Sequence, residues 1–65
     1  MERTILGTQA AIEAEFGVIG RDAFTVVEMF DGEITGTSYF PTLAAAKADL
    51  ADYGVDPASI EYFLG

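Results

Sequence analysis

The chain has no cysteine, no histidine and no tryptophan, and only three basic residues among 65. Each shortage excludes something. Without cysteine no disulfide can staple a small fold, so stability must come from packing or from a partner subunit. The lack of thiols also suits a reducing compartment. Without histidine or cysteine the commonest general base and the thiol nucleophile are gone, and transition-metal sites lose their main ligands. Three Lys and Arg cannot neutralise the phosphates of a duplex, which argues against direct nucleic-acid binding. No apolar run approaches the roughly 18 residues of a membrane span. The start, Met1-Glu2-Arg3-Thr4-Ile5-Leu6, lacks the charged region, long apolar stretch and cleavage site of a secretory signal. The expectation is a soluble, cytoplasmic protein that is a small free-standing gene product.

What is present is acid and apolar surface. Eleven Asp and Glu leave a net charge of −8, while 51% of residues are apolar and five Phe and three Tyr supply aromatic bulk. A disordered acidic tail would be poor in such residues, so the composition is that of a packed core. The length fits one domain, residues 1–65, burying only roughly 60% of the surface of its unfolded chain.

Ile5, Gln9, Ile12 and Phe16 recur with helical spacing and alanines fill the gaps, which predicts helix over residues 1–20. The helix either runs from about residue 3 with a weak point at Gly7, or starts at Gln9 behind a Thr8 cap; Gly17 stops it. Residues 23–30 and 34–40 are rich in β-formers and flank Asp31-Gly32, the pairing that a two-residue hairpin turn requires. In the predicted register Met29 faces Ile34, Val27 faces Gly36 and Phe24 faces Tyr39, with a bulge at Gly36 because neither face is cleanly apolar. Thr42 caps a second helix ended by Gly54, with Leu43, Ala46, Leu50 and Tyr53 as its buried stripe and Asp49 and Asp52 on the solvent side. Residues 60–64 read as a final edge strand beside the hairpin, a short helix being the alternative. The predicted fold is α+β: helix packed on a short antiparallel sheet, in the order α-β-β-α-β.

These residues give little to an enzyme. Ser38, Ser59 and Lys47 remain, but no spacing sets a nucleophile beside a base. Glu28 and Glu33 could form a carboxylate pair, yet 65 residues leave little room for a substrate cleft. Asp31-Gly32-Glu33 lacks the further oxygen ligands of a calcium loop and reads as a turn. The expectation is a protein without catalytic residues, metal or cofactor.

The placement of charge says more than its total. Residues 1–21 hold three acids and two bases, a balance of −1, whereas residues 22–65 hold eight acids against Lys47 alone, a balance of −7. Glu28, Asp31, Glu33, Asp49, Asp52 and Asp56 are the candidate partner-binding residues, a row that would draw a Lys- or Arg-lined groove in a salt-dependent way. Tyr39, Tyr53 and Tyr62 are candidate aromatic anchors, with a core role expected for Tyr53. Arg3 and Arg21 make a smaller contact of opposite sign or pair with nearby acids. The same acids would also serve plain solubility, since a net charge of about 2–8 is ordinary for a small domain.

Two resemblances follow from these residues. Tyr39-Phe40-Pro41-Thr42 with Ala46 and Leu50 loosely resembles the sheet-to-helix joint of the arm-type DNA-binding domains of phage integrases, but acids stand where those domains need bases, so DNA binding does not carry over. Over the whole chain, small size, acidity, missing catalytic residues and a sheet-helix body resemble the phage-encoded DNA-mimic inhibitors, the anti-CRISPR proteins in particular. That resemblance implies a stoichiometric inhibitor in the host bacterial cytoplasm. It would act as monomer or homodimer on the basic, nucleic-acid-binding surface of a protein complex such as a CRISPR surveillance complex, blocking access of target DNA. The alternative is a small interaction or regulatory module that binds a host protein without imitating DNA. A third is an antitoxin-like or assembly subunit whose C-terminal strand pairs with its twin.

Overall fold

Residues 2–6 alternate Glu2, Thr4, Leu6 against Arg3, Ile5, and this alternation sets the architecture. The computed structural model describes residues 1–65. Its elements are β1 (Glu2–Thr8), α1 (Gln9–Phe16), β2 (Phe24–Phe30), β3 (Glu33–Phe40), α2 (Leu43–Asp52), a 3-10 turn (Pro57–Ser59) and β4 (Ile60–Phe63). The class is α+β, but the order is β-α-β-β-α-β and not α-β-β-α-β. Residues 2–8 form a strand where helix was expected. Ile5 and Leu6 are adjacent and both fully buried, which an interior strand allows because successive side chains leave on opposite faces. The helix begins at the second of the two predicted starts: the Thr8 hydroxyl accepts from the Ala11 N–H, and Gly17 ends it in a left-handed conformation.

The strands form one sheet in the order β3-β2-β1-β4. β1 runs antiparallel to β2 and parallel to β4, so the sheet is mixed where an antiparallel one was expected. The final segment is indeed an edge strand, but it pairs with β1 and not with the hairpin. α2 carries the chain across one face from the β3 edge to the β4 edge. On that face Leu6, Val26, Ala46 and Leu50 form a buried cluster with Phe24, Phe40, Leu43, Val55 and Ile60 against it. On the other face α1 closes a second cluster of Ile5, Ile12 and Val27, flanked by Phe16, Val18, Met29 and Phe63. The sheet therefore lies between two helices, one per face, and is not a single helix-on-sheet layer.

Asp31 and Gly32 both take positive φ, 50° and 84°, as the hairpin turn demands. Met29 faces Ile34 as expected, but Val27 faces Thr37 and Phe24 faces Phe40. The cause is a bulge, one residue from the predicted place, that the expected pairs did not count: Glu28 pairs with Gly36 while Met29 pairs with Ile34, leaving Thr35 without a partner. Its hydroxyl donates to the Glu28 carbonyl. The extra residue turns Tyr39 to the α1 side and Phe40 to the α2 side.

α2 is capped by the Thr42 hydroxyl, which accepts from the Ala45 N–H. It ends as predicted at Gly54, where the Val55 N–H reaches back to the Leu50 carbonyl. Tyr53 departs from expectation. It is the cap residue beyond the last turn, so helical spacing no longer steers its ring inward, and it is 80% exposed.

Gly7 is where the α1-side cluster meets β4. A Cβ there would stand 2.3 Å from the Phe63 carbonyl oxygen and 2.9 Å from Ile12 Cδ1. A backbone atom cannot step aside as a flexible side chain can. Gly7→Ala is therefore expected to cost about 2–3 kcal/mol in urea unfolding, whereas Gly36→Ala, whose Cβ meets nothing within 4 Å, stays within about 0.5 kcal/mol of the parent.

Candidate functional site

α2 is ten residues long, about 15 Å, and it covers only the end of the sheet where β3 leads into it. The other half of that face stays open. Register places Glu2, Phe30 and Glu33 in one row across it and Thr4, Glu28 and Gly36 in the next. Glu2 and Glu33 are exposed and Glu28 is half-buried, with a carboxylate oxygen accepting from the Thr4 hydroxyl at 3.1 Å. Beside them a cavity of about 310 Å³ opens between α2 and the sheet, lined by Val26, Glu28, Ser38, Asp49, Leu50 and Tyr53. Val26 and Leu50 give it apolar lining, Glu28 and Asp49 contribute two carboxylates, and the exposed Tyr53 adds an aromatic ring.

Of the six predicted partner-binding residues, the fold brings Glu28, Glu33 and Asp49 to this open half-face. Asp49 is half-buried and turned toward the cavity, so it does not lie on the solvent side of α2 as expected. Its carboxylate has no hydrogen bond or ion pair. Asp52 is exposed in the last turn of α2. The remaining two have structural partners: Asp56 accepts from the Ala58 N–H at the 3-10 turn, and Asp31, in the hairpin turn, binds the Met1 amino group. Glu13 and Glu15 project from α1, away from this face. Glu2 escaped sequence reasoning because residues 2–8 read as helix; the alternation Glu2-Thr4-Leu6 was the available signal.

The bases lie elsewhere. Arg3 leaves β1 on the α1 side and forms a two-pronged pair with Glu61, both N–O distances being 2.8 Å, while also donating to the Met29 sulfur. Arg3 thus pairs with a nearby acid, one of its two expected roles. Arg21 lines a separate hollow with Ile19, Gly20, Asp22 and Tyr39, and Tyr39 faces the α1 side. Lys47 stands 5.5 Å over the Tyr62 ring, toward β4, so Tyr62 already serves a cation of its own chain. No basic side chain lines the cavity. No group of three or more acids is placed to hold a metal ion, and no helix is long and apolar enough to cross a membrane.

No family model, curated protein or solved structure matches this chain.

The Arg3–Glu61 pair shifts both partners. Hydrogen bonding to Arg3, opposed by some desolvation and aided by charge attraction, holds the Glu61 carboxyl below its ordinary range. The hydrogen bond to Glu61 raises Arg3. A lowered carboxyl stabilises the fold above its unfolded pKa and loses that contribution as pH falls through the folded value; the raised Arg3 loses its share only in strong alkali. The urea midpoint of Glu61→Gln should therefore fall below that of the parent at pH 7, and the gap should narrow below about pH 4.

Proposed function

We propose that the protein binds a basic surface of a nucleic-acid-handling protein complex and excludes the nucleic acid from it, as a DNA-mimic inhibitor of the anti-CRISPR kind would. One observation carries this reading: Glu2, Glu28, Glu33 and Asp49 share an open half-face with no basic side chain among them, while both arginines lie on the other side of the sheet. Carboxylates arranged in this way attract cations that would otherwise meet phosphates. The longest dimension of the molecule is 26 Å, over which one DNA strand carries roughly eight phosphates. In this reading the four carboxylates, with Asp52 at the end of α2, stand in for part of such a stretch. The missing thiols and imidazoles agree with a role that needs occupancy and no turnover.

The test is capture from a bacterial lysate on immobilised protein, identification of the bound complex, and competition with duplex DNA. The expected partner handles nucleic acid, releases the protein when DNA is added, and binds Glu28→Lys/Asp49→Lys at least about tenfold more weakly. A partner indifferent to DNA and to both reversals would overturn this reading in favour of an interaction module that does not imitate DNA.

A further inference from the structure

The acidic cavity reaches the free edge of the sheet. β3 pairs only with β2, and its residues 37–39 are exposed. The Asp31 N–H donates to the Met1 carbonyl and the Gln9 N–H to the Ala23 carbonyl, at the two ends of the β1–β2 ladder. By alternation, odd-numbered residues of β2 point their backbone groups at β1 and Phe24, Val26 and Glu28 point theirs at β3. Their partners Phe40, Ser38 and Gly36 complete that ladder, which leaves the N–H and C=O of Thr37 and Tyr39 turned outward. An added strand would find these groups ready to pair.

We propose that this edge receives an extended segment of the basic partner as a fifth strand, whose Lys or Arg side chains cross β3 to reach Glu28 and Asp49. It rests on the reading above only in taking a basic protein as partner. The geometry follows from strand spacing. A fifth strand lies two spacings from β2, roughly 10 Å, within the combined reach of a long cationic side chain and a carboxylate. The side chains of β3 that such a cation must cross on this face are those of Gly36 and Ser38, the two smallest on the strand. A Cβ at Gly36 would meet nothing within 4 Å, so the way is clear. The aliphatic stem then lies toward Val26 and Leu50, and the charged head meets carboxylates that lack a base of their own.

Charge chooses the occupant. No ionisable acid or base stands between Ile34 and Ser38, and neither Lys nor Pro guards the edge, so the backbone alone would also admit a second copy. A second copy would bring its own Glu28, Glu33 and Asp49 against these, and like charges at an interface are repulsive. A basic strand is attracted by the same groups.

The probe is a synthetic peptide of alternating arginine and threonine, long enough to pair with residues 36–40, titrated into the intact protein. Binding should slow amide exchange at Thr37 and Tyr39. Methylating the peptide's edge-facing backbone nitrogens should abolish it. Glu28→Gln/Asp49→Asn should weaken it at least about tenfold, and so should Ser38→Phe, which raises a wall on the exposed path. Unchanged affinity after backbone methylation, unprotected Thr37 and Tyr39 amides, indifference to the carboxylates, or no binding of the peptide would each overturn the proposal. Because the peptide reads this chain alone, it can bind while DNA competition fails, and the two proposals fail separately.

Discussion

Burial of β1 on both faces is the constraint from which the rest of this fold follows. Ile5 and Leu6 are neighbours, both fully buried, and each belongs to a different hydrophobic cluster. Two thin half-cores thus share one wall, and neither alone would hold a domain of this size together. Each fully buried aliphatic side chain contributes roughly 1.5–3 kcal/mol, so a change in β1 reaches both halves at once. The buried polar side chains of the sheet are all satisfied. Thr25, also fully buried, donates its hydroxyl to the Gln9 side chain, which in turn donates to the Val18 carbonyl at 2.9 Å. That relay fastens the start of α1 to the loop leading into β2.

A wall with two faces needs two covers, and the chain has just enough helix for part of each. The uncovered half of the α2 side must then be polar or form an exposed apolar patch, with the association hazard that brings. Glutamates at three adjacent strands meet that need, and solubility alone would accept them. It would equally accept a mixture of signs, which lowers self-repulsion. Here the mixture exists on the α1 side, where Arg3 binds Glu61, and is absent around the cavity. The asymmetry, more than the net charge, is the observation on which the proposed basic partner rests.

Local chemistry was legible in the sequence wherever one or two residues decide a conformation. Asp31-Gly32, the Thr8 and Thr42 caps and the Gly17 and Gly54 stops all took the forms their side chains and φ preferences dictate. Ambiguity entered where a pattern served two periods. Ile5, Gln9 and Ile12 fit a helical stripe, yet Ile5 belongs to a strand buried on both sides, where the adjacent apolar Ile5 and Leu6 weaken the period-2 signal of Glu2, Thr4 and Leu6. That one misreading changed the element order, the sheet from antiparallel to mixed, and the standing of Glu2. The hairpin register failed for a smaller reason: the predicted pairs ran straight past the bulge, and the extra residue, at Thr35, shifts every pair beyond it by one, which sends Tyr39 to the opposite face. Asp49 was assigned to solvent because helical spacing gives the direction of a side chain but not how far its own helix extends over the sheet.

Edge strands need protection from unintended pairing, which lysines, prolines, bulges or a covering element usually give. β3 has only the bulge at Thr35, near its start, and no cover over Thr37 and Tyr39. Its remaining protection is the field of nearby carboxylates, and a field discriminates by sign where a bulge or a proline does not. Copies of this chain, each at −8, repel one another at the edge, and so do other acidic proteins. A cationic segment is drawn toward the same groups, most strongly at low salt, where screening is weakest. Acidity and an open edge are each a liability in a domain with so small a core. Placed side by side, the carboxylates restrain self-pairing while the free backbone groups remain open to a partner of opposite charge.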